Sequence, residues 1–185
     1  MRMISDFLHD GITVRQPLSD ALDLLAEEAA DAGVRGPLEL RKFLFADGRL
    51  DGNRDEPDDP RNSDIAWALA EGKSNALGLC VIFLLVGARL GIEVQAINFP
   101  GRFLSRIHED GYPVIVDCFD KGRPHLLSTL LEDPDLGPKQ RKILREPVGP
   151  GVVLLRMLNN LAAALELEAR DEDAALIHKL RATLR

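Results

Sequence analysis

Two cysteines and four histidines are the residues of this chain that could form a thiol–imidazole centre. A cysteine nucleophile needs an imidazole that lowers the thiol pKa and moves its proton, and a carboxylate that orients the imidazole. Cys80 lies in a continuous apolar run, where a free thiol serves as a small hydrophobe. Cys118 directly follows Asp117 on a predicted strand, and neighbouring strand residues face opposite ways. We therefore expect both cysteines in the core.

The four histidines are spread along the chain and are not gathered beside either thiol. His9 falls in the first predicted helical segment, His108 at the tip of a predicted hairpin and His125 after the sheet; the fourth is His178 in the tail. None has the spacing to a Cys, Asp or Glu cluster that a metal site requires, so we predict no metal and no cofactor. His125 is the nearest alternative base in sequence.

Composition limits the function classes. The chain of 185 residues has a formal net charge of −7, which argues against a nucleic-acid partner because phosphate binding needs clustered Lys and Arg. The longest apolar run, residues 76–88, is too short to span a bilayer. No basic leader followed by an apolar run opens the chain, and two cysteines make no disulfide framework. We therefore expect a cytoplasmic protein without a membrane partner.

Helices are predicted along the first part of the chain. Apolar residues recur at helical spacing after Pro17, Gly33 ends that helix, and Pro37 begins the next. Residues 47–60 are rich in Asp, Gly and Pro and are predicted to form a surface loop. Ser63 is expected to cap a short helix after this loop.

The strongest predicted element is a helix from Asn75 to Leu90, which is apolar nearly all round and therefore buried. The pattern then changes to β. Strands are predicted over residues 92–98, 102–107, 112–119 and, for a short fourth strand, 123–125. Helices, a buried helix and an antiparallel sheet in this order predict an α+β fold.

The end of the chain predicts a helical hairpin. Residues 134–150 contain four prolines and are predicted to link residues 1–133 to residues 151–185. Two amphipathic helices that turn near Arg170 follow. One such pair cannot bury its apolar face alone, so we expect it to dock on the main domain or on a partner.

Five short segments carry a resemblance to a known family. They are residues 59–63 (DPRNS), 88–92 (ARLGI), 99–106 (FPGRFLSR), 115–122 (IVDCFDKG) and 155–161 (LRMLNNL). A buried helix that leads into three antiparallel strands is also the core of papain-like and transglutaminase-like folds. Over roughly residue 37 to the C-terminus, the chain resembles the bacterial SirB-type transglutaminase-like family, which carries a tetratricopeptide-like tail.

The resemblance implies a catalytic triad that this chain does not keep. The wider superfamily uses a Cys at the start of the buried helix, a His on the next strand and an Asp beyond it. Counting back from Gly91 places that Cys near residues 75–78, about one turn before Cys80. The family's His falls on Arg102, and Asp117 alone keeps its identity.

Four residues remain as candidates for the former cleft. Arg102 and Asp117 are predicted to form an ion pair; a guanidinium stays protonated and cannot act as a base, but it can bind a carboxylate or phosphate. Ser74 and Asn75 either line the cleft or cap the buried helix, the latter being favoured. The Arg and two Asn within residues 156–160 either grip a peptide or dock helix against helix. We predict no catalytic residue among them.

These residues favour a pseudoenzyme, a non-catalytic protein that binds a protein or peptide partner through the former cleft or the tail. The alternative is a cysteine-dependent hydrolase or acyltransferase that acts on a peptide or amide with a displaced thiol, Cys80 or Cys118. A third interpretation is a structural subunit that forms homo-oligomers through the apolar face of the tail.

Overall fold

The computed structural model describes Ile4, Phe7, Leu8 and residues 16–184. The helices of residues 16–184 are α1 (Leu18–Asp31), α2 (Pro37–Arg41), α3 (Ile65–Glu71), α4 (Ala76–Leu90), α5 (Leu127–Leu131), α6 (Pro138–Arg145), α7 (Pro150–Leu167) and α8 (Asp171–Thr183). The strands are β1 (Asp51–Gly52), β2 (Lys73–Ser74), β3 (Gln95–Ile97), β4 (Leu104–Glu109), β5 (Tyr112–Asp117) and β6 (Arg123–Leu126). A π-helical turn, Lys42–Ala46, continues α2, and a 3₁₀ turn, Pro60–Ser63, precedes α3. The fold is α+β, as the order of predicted elements indicated.

Helix α4 forms the centre of the core because its surface is apolar nearly all round. Its N-terminus is capped by Asn75, whose Oδ1 accepts the N–H of Gly78 at 2.9 Å. Gly91 ends the helix with a φ of 69°, a left-handed conformation that glycine adopts without strain. The fully buried ring of Phe83 meets Phe45 edge-on, with 5.6 Å between the ring centroids. The predicted buried helix is therefore confirmed.

The sheet is antiparallel with the order β3-β4-β5-β6 and is covered on both faces. Ile107 and Val116 point to the α4 side, where they join the main core. Ile115 points to the other face and packs with Leu144 of α6 in a second apolar cluster. Residues 134–150, for which we predicted a linker, thus hold a helix that covers the sheet, and the Val148 N–H donates to the Ala96 carbonyl at 2.8 Å.

The segment of residues 47–60 does more than form a surface loop. Strand β1 lies within it and pairs in parallel with β2. Asn53 is buried, and its Nδ2 donates to Oδ1 of Asn62 at 3.0 Å. The cap of α3 also differs from the expectation: Asp64 Oδ1 accepts the N–H of Ala66 at 2.9 Å, because Ser63 still belongs to the 3₁₀ turn.

Helices α7 and α8 form the predicted hairpin. Leu161 of α7 and Ile177 of α8 pack together with Ile4, while Met157 of α7 belongs to the main core. The hairpin therefore rests on the main domain at one end and on residues near the N-terminus along its apolar face. No helix in the described part of the chain has the length and apolarity needed to cross a membrane.

Candidate functional site

A cleft of about 350 Å³ opens at the N-terminus of α4. Its walls are residues 75–77 at the start of α4, residues 101–103 before β4, Phe119 after β5, and Arg156 and Asn160 of α7. We call it the Arg102 cleft. It lies where the central helix, the sheet and the tail meet. It also holds the first residues of the stretch 75–78, in which the resemblance implies a catalytic thiol.

Arg102 and Asp117 form the ion pair that was predicted from the sequence. Nη1 of Arg102 donates to Oδ2 of Asp117. The second oxygen of Asp117, Oδ1, accepts the backbone N–H groups of Phe119 and Asp120 at 3.2 Å each. Both carboxylate oxygens therefore have structural partners, and they fix the Arg102 side chain at the wall of the cleft.

Cys80 and Cys118 are fully buried and do not line the Arg102 cleft. Ser105 lies between them: its Oγ is 2.9 Å from Sγ of Cys80 and 3.4 Å from Sγ of Cys118. Burial raises the pKa of the Cys118 thiol well above its usual value, and the neighbouring Cys80 thiol raises this pKa further. The predicted core position of both cysteines is confirmed. A thiol with a raised pKa stays protonated and is a poor nucleophile.

Ser105 was not identified from the sequence. Ser105 faces inward from β4. The residues two positions before and after it, Phe103 and Ile107, are apolar and belong to the main core. A polar residue in the inward register of a strand is the signal that could have revealed it, because a buried hydroxyl needs a hydrogen-bond partner.

The structure separates the two residues that precede α4. Asn75 caps the helix and lines the Arg102 cleft. Ser74, which we expected as a cleft candidate, does not line it: its side chain is fully buried and its Oγ donates to the Asn62 carbonyl at 2.8 Å. The physical reason is the parallel pairing of β2 with β1, which turns Ser74 inward toward the 3₁₀ turn.

The described histidines lie away from the Arg102 cleft. His125 is on β6 opposite Ile115, and His108 is on β4 opposite Pro113. His178 contacts Glu166 of the tail, with 2.7 Å between Nε2 and Oε1. His9 lies outside the described residues. Within the described residues, no group of three or more His, Cys, Asp or Glu side chains is placed to hold a metal ion.

Arg156 gives the cleft a second guanidinium group. Arg156 and Asn160 are four residues apart on α7, so both face the cleft from the tail. Among the described residues, the Arg156 side chain has no ion-pair or hydrogen-bond partner. The sequence left open whether this stretch grips a peptide or docks helix against helix. The structure divides it: Oδ1 of Asn159 accepts Nη1–H of Arg181 on α8 at 2.7 Å, whereas Arg156 and Asn160 line the cleft.

Residues 14–159 match the transglutaminase-like superfamily, and the chain belongs to that superfamily. Two UPF0162 proteins of Xylella fastidiosa, from strains Temecula1 and 9a5c, are each 35 % identical to it over 129 residues. These matches cover 66 % of this chain and 46 % of each relative, so the chain spans about half the length of the curated relatives it matches. No solved structure matches the chain.

Proposed function

We propose that the protein is a non-catalytic member of the superfamily, of the SirB type with a tetratricopeptide-like tail, that binds a protein or peptide partner in the Arg102 cleft. The observation that carries this proposal is the set of groups in the cleft. Arg102 stands where the resemblance implies an imidazole, and residues 75–77 bring no thiol. A guanidinium cannot take up a proton at any working pH, so this cleft has no general base at that position.

The two thiols support a non-catalytic role. The alternative, a cysteine-dependent hydrolase or acyltransferase, requires Cys80 or Cys118 to reach a substrate as a thiolate. Both side chains are fully buried behind the cleft, and burial holds the pKa of Cys118 high. Free, buried thiols also suit a reducing compartment, which supports a cytoplasmic location.

Contacts of the hairpin favour the cleft over the tail as the binding surface. The apolar face of α7 and α8 packs against Ile4, Phe7 and Leu8, so the contacts that a tail-mediated homo-oligomer would use are partly occupied within the chain. The cleft, in contrast, is open, and its lining includes the polar side chains of Asn75, Arg102, Arg156 and Asn160, which a partner can contact.

Affinity selection tests the proposed function. The native protein is exposed to an equal mixture of random octapeptides with free and amidated C-termini, and the retained peptides are identified by mass spectrometry. We expect retention by the wild type and loss in Asn160→Trp, which fills the cleft. Val152→Trp is the matched control, because Val152 is exposed on the same helix and does not line the cleft. Equal retention by Asn160→Trp, or none by the wild type, contradicts the proposal.

Alkylation with iodoacetamide tests the enzyme alternative. Site-resolved labelling of the native protein is expected to be slow at both cysteines until denaturant is added, because neither side chain is exposed. Rapid labelling of one cysteine with a midpoint below the reference pKa of about 8.5 would instead support a displaced catalytic thiol.

A further inference from the structure

Among the described residues that line the Arg102 cleft, Arg102 and Arg156 are cationic and none is acidic. Asp117 pairs with Arg102, whereas Arg156 has no partner among the described residues. The chain as a whole has a formal net charge of −7, so an unpaired guanidinium at a cleft is not part of a generally basic protein. The first N–H groups of α4 have no acceptor within the helix and add partial positive charge to the same wall. One negatively charged group bound here would neutralise the charge of the Arg156 guanidinium.

The neighbouring surface indicates an extended ligand. A second cavity, of about 230 Å³, lies beside the cleft and shares Asn75 and Asn160 with it; its lining also includes Asp58 and Asp59, of which Asp59 pairs with Arg61. Asn75 uses Oδ1 to cap α4, which leaves its Nδ2 hydrogens as donors. Asn160 has no side-chain hydrogen bond among the described residues. Two amides at the border between two cavities suit the carbonyl and N–H groups of a peptide chain better than a small free anion.

We propose that the Arg102 cleft takes the C-terminal carboxylate of a partner polypeptide between the guanidinium groups of Arg102 and Arg156, and that Asn75 and Asn160 hydrogen-bond the preceding backbone. Carboxylates pair with guanidinium groups through charge-assisted hydrogen bonds. A single carboxylate matches the one cleft guanidinium, Arg156, that has no partner among the described residues, whereas a phosphate brings more negative charge. This inference rests on the proposed function, because it names the part of the partner that the cleft recognises.

Titration followed by nuclear magnetic resonance tests the inference. The probe is acetyl-Ala-Ala-Leu with a free carboxylate, added to the ¹⁵N-labelled full chain, and the Nε–H resonances of Arg102 and Arg156 are followed. Both resonances are expected to shift saturably, and the C-terminally amidated probe is expected to bind at least about tenfold more weakly. Arg156→Gln is expected to weaken binding by a similar factor. Arg145→Gln, an exposed position on α6 with the same loss of charge, is expected to leave affinity unchanged.

Three outcomes would overturn the inference. Equal binding of the amidated probe would show that the cleft does not recognise the C-terminal carboxylate. The cleft would still be a peptide-binding site, so the proposed function would stand. Inorganic phosphate that binds as well as the peptide would define a non-selective anion site only. Absence of a saturable shift at either arginine would exclude binding there. Asn160→Asp supplies a second variant, because it places a negative charge beside the cleft without truncating a side chain and must also weaken the carboxylate probe.

Discussion

Arg102 and Asp117 form an asymmetric ion pair. The Asp117 side chain is only 8 % exposed, whereas 54 % of the Arg102 side chain remains in contact with solvent. The carboxylate accepts two backbone N–H groups, and the guanidinium that pairs with it lines the cleft. The two residues therefore contribute differently: Asp117 holds the chain after β5 in place, and Arg102 presents charge to the cleft.

Replacement of Asp117 is expected to cost more stability than replacement of Arg102. Asp117→Ala leaves the Phe119 N–H and the guanidinium without their acceptor, while the Asp120 N–H keeps the Asp117 carbonyl, and should lower the free energy of unfolding by about 2–3 kcal/mol. Arg102→Gln removes a guanidinium that is itself largely solvated and leaves Asp117 with its two backbone donors, so it should cost less, about 1 kcal/mol. Urea unfolding measures both. Arg123→Gln, which removes the exposed pair with Asp120, serves as control and should change little. Equal losses at the two positions would contradict the asymmetry.

The buried Cys118 thiol makes stability depend on pH above neutrality. Desolvation raises its folded-state pKa, whereas the unfolded chain has a thiol pKa of about 8.5, so the unfolded state loses its proton first. The free energy of unfolding therefore keeps its full value below a pH of about 8.5. It falls as the pH rises from there toward the folded-state pKa of the thiol, by up to about 1.4 kcal/mol per pH unit. Cys118→Ala should remove this slope from the free energy of unfolding measured in urea at increasing pH. A slope that persists unchanged would show that Cys118 is not its source.

Gly78 and Gly151 lie near the starts of two helices but are expected to respond oppositely to alanine. A Cβ at Gly78 would lie 2.1 Å from Oγ of Ser74, which the Asn62 carbonyl holds in place, so Gly78→Ala should destabilise by about 2 kcal/mol or more. Nothing lies within 4 Å of a Cβ at Gly151, so Gly151→Ala should stabilise by about 0.5 kcal/mol through helix propensity. Thermal unfolding compares the two. Stabilisation by both substitutions would mean that the Ser74 side chain can move away from the new Cβ at little cost in free energy.

The parts of the fold that were predictable are those decided by local pattern. Helix α4 is apolar nearly all round, which already identifies a buried helix. The hairpin between β4 and β5 turns at Asp110-Gly111, where both residues have positive φ, the geometry that an Asp-Gly pair favours. The Arg102–Asp117 pair followed from matching two short segments to a family.

Features that depend on contacts between distant segments were not predictable in the same way. The inward position of Ser74 requires β2 to pair with β1, more than 20 residues earlier in the chain. Prolines at residues 134–150 suggested a linker, but Pro138 occupies the first turn of α6, where a proline is well tolerated. The placement of Arg156 at the cleft depends on how α7 docks on the main domain, which no local pattern specifies.

A cysteine introduced at the start of α4 is expected to be reactive, although the native cysteines are not. In Ala76→Cys the thiolate would lie at the N-terminus of a 15-residue helix and in the cleft that Arg102 lines, and both lower a thiol pKa. A pKa about one unit below 8.5 gives roughly a tenfold larger thiolate fraction at pH 7. Site-resolved iodoacetamide labelling across the pH range measures it, with Ala175→Cys as the control at an exposed position beyond the first turn of α8. A midpoint in Ala76→Cys equal to that of Ala175→Cys would show that the start of α4 and the cleft do not stabilise negative charge, and would count against carboxylate binding as well.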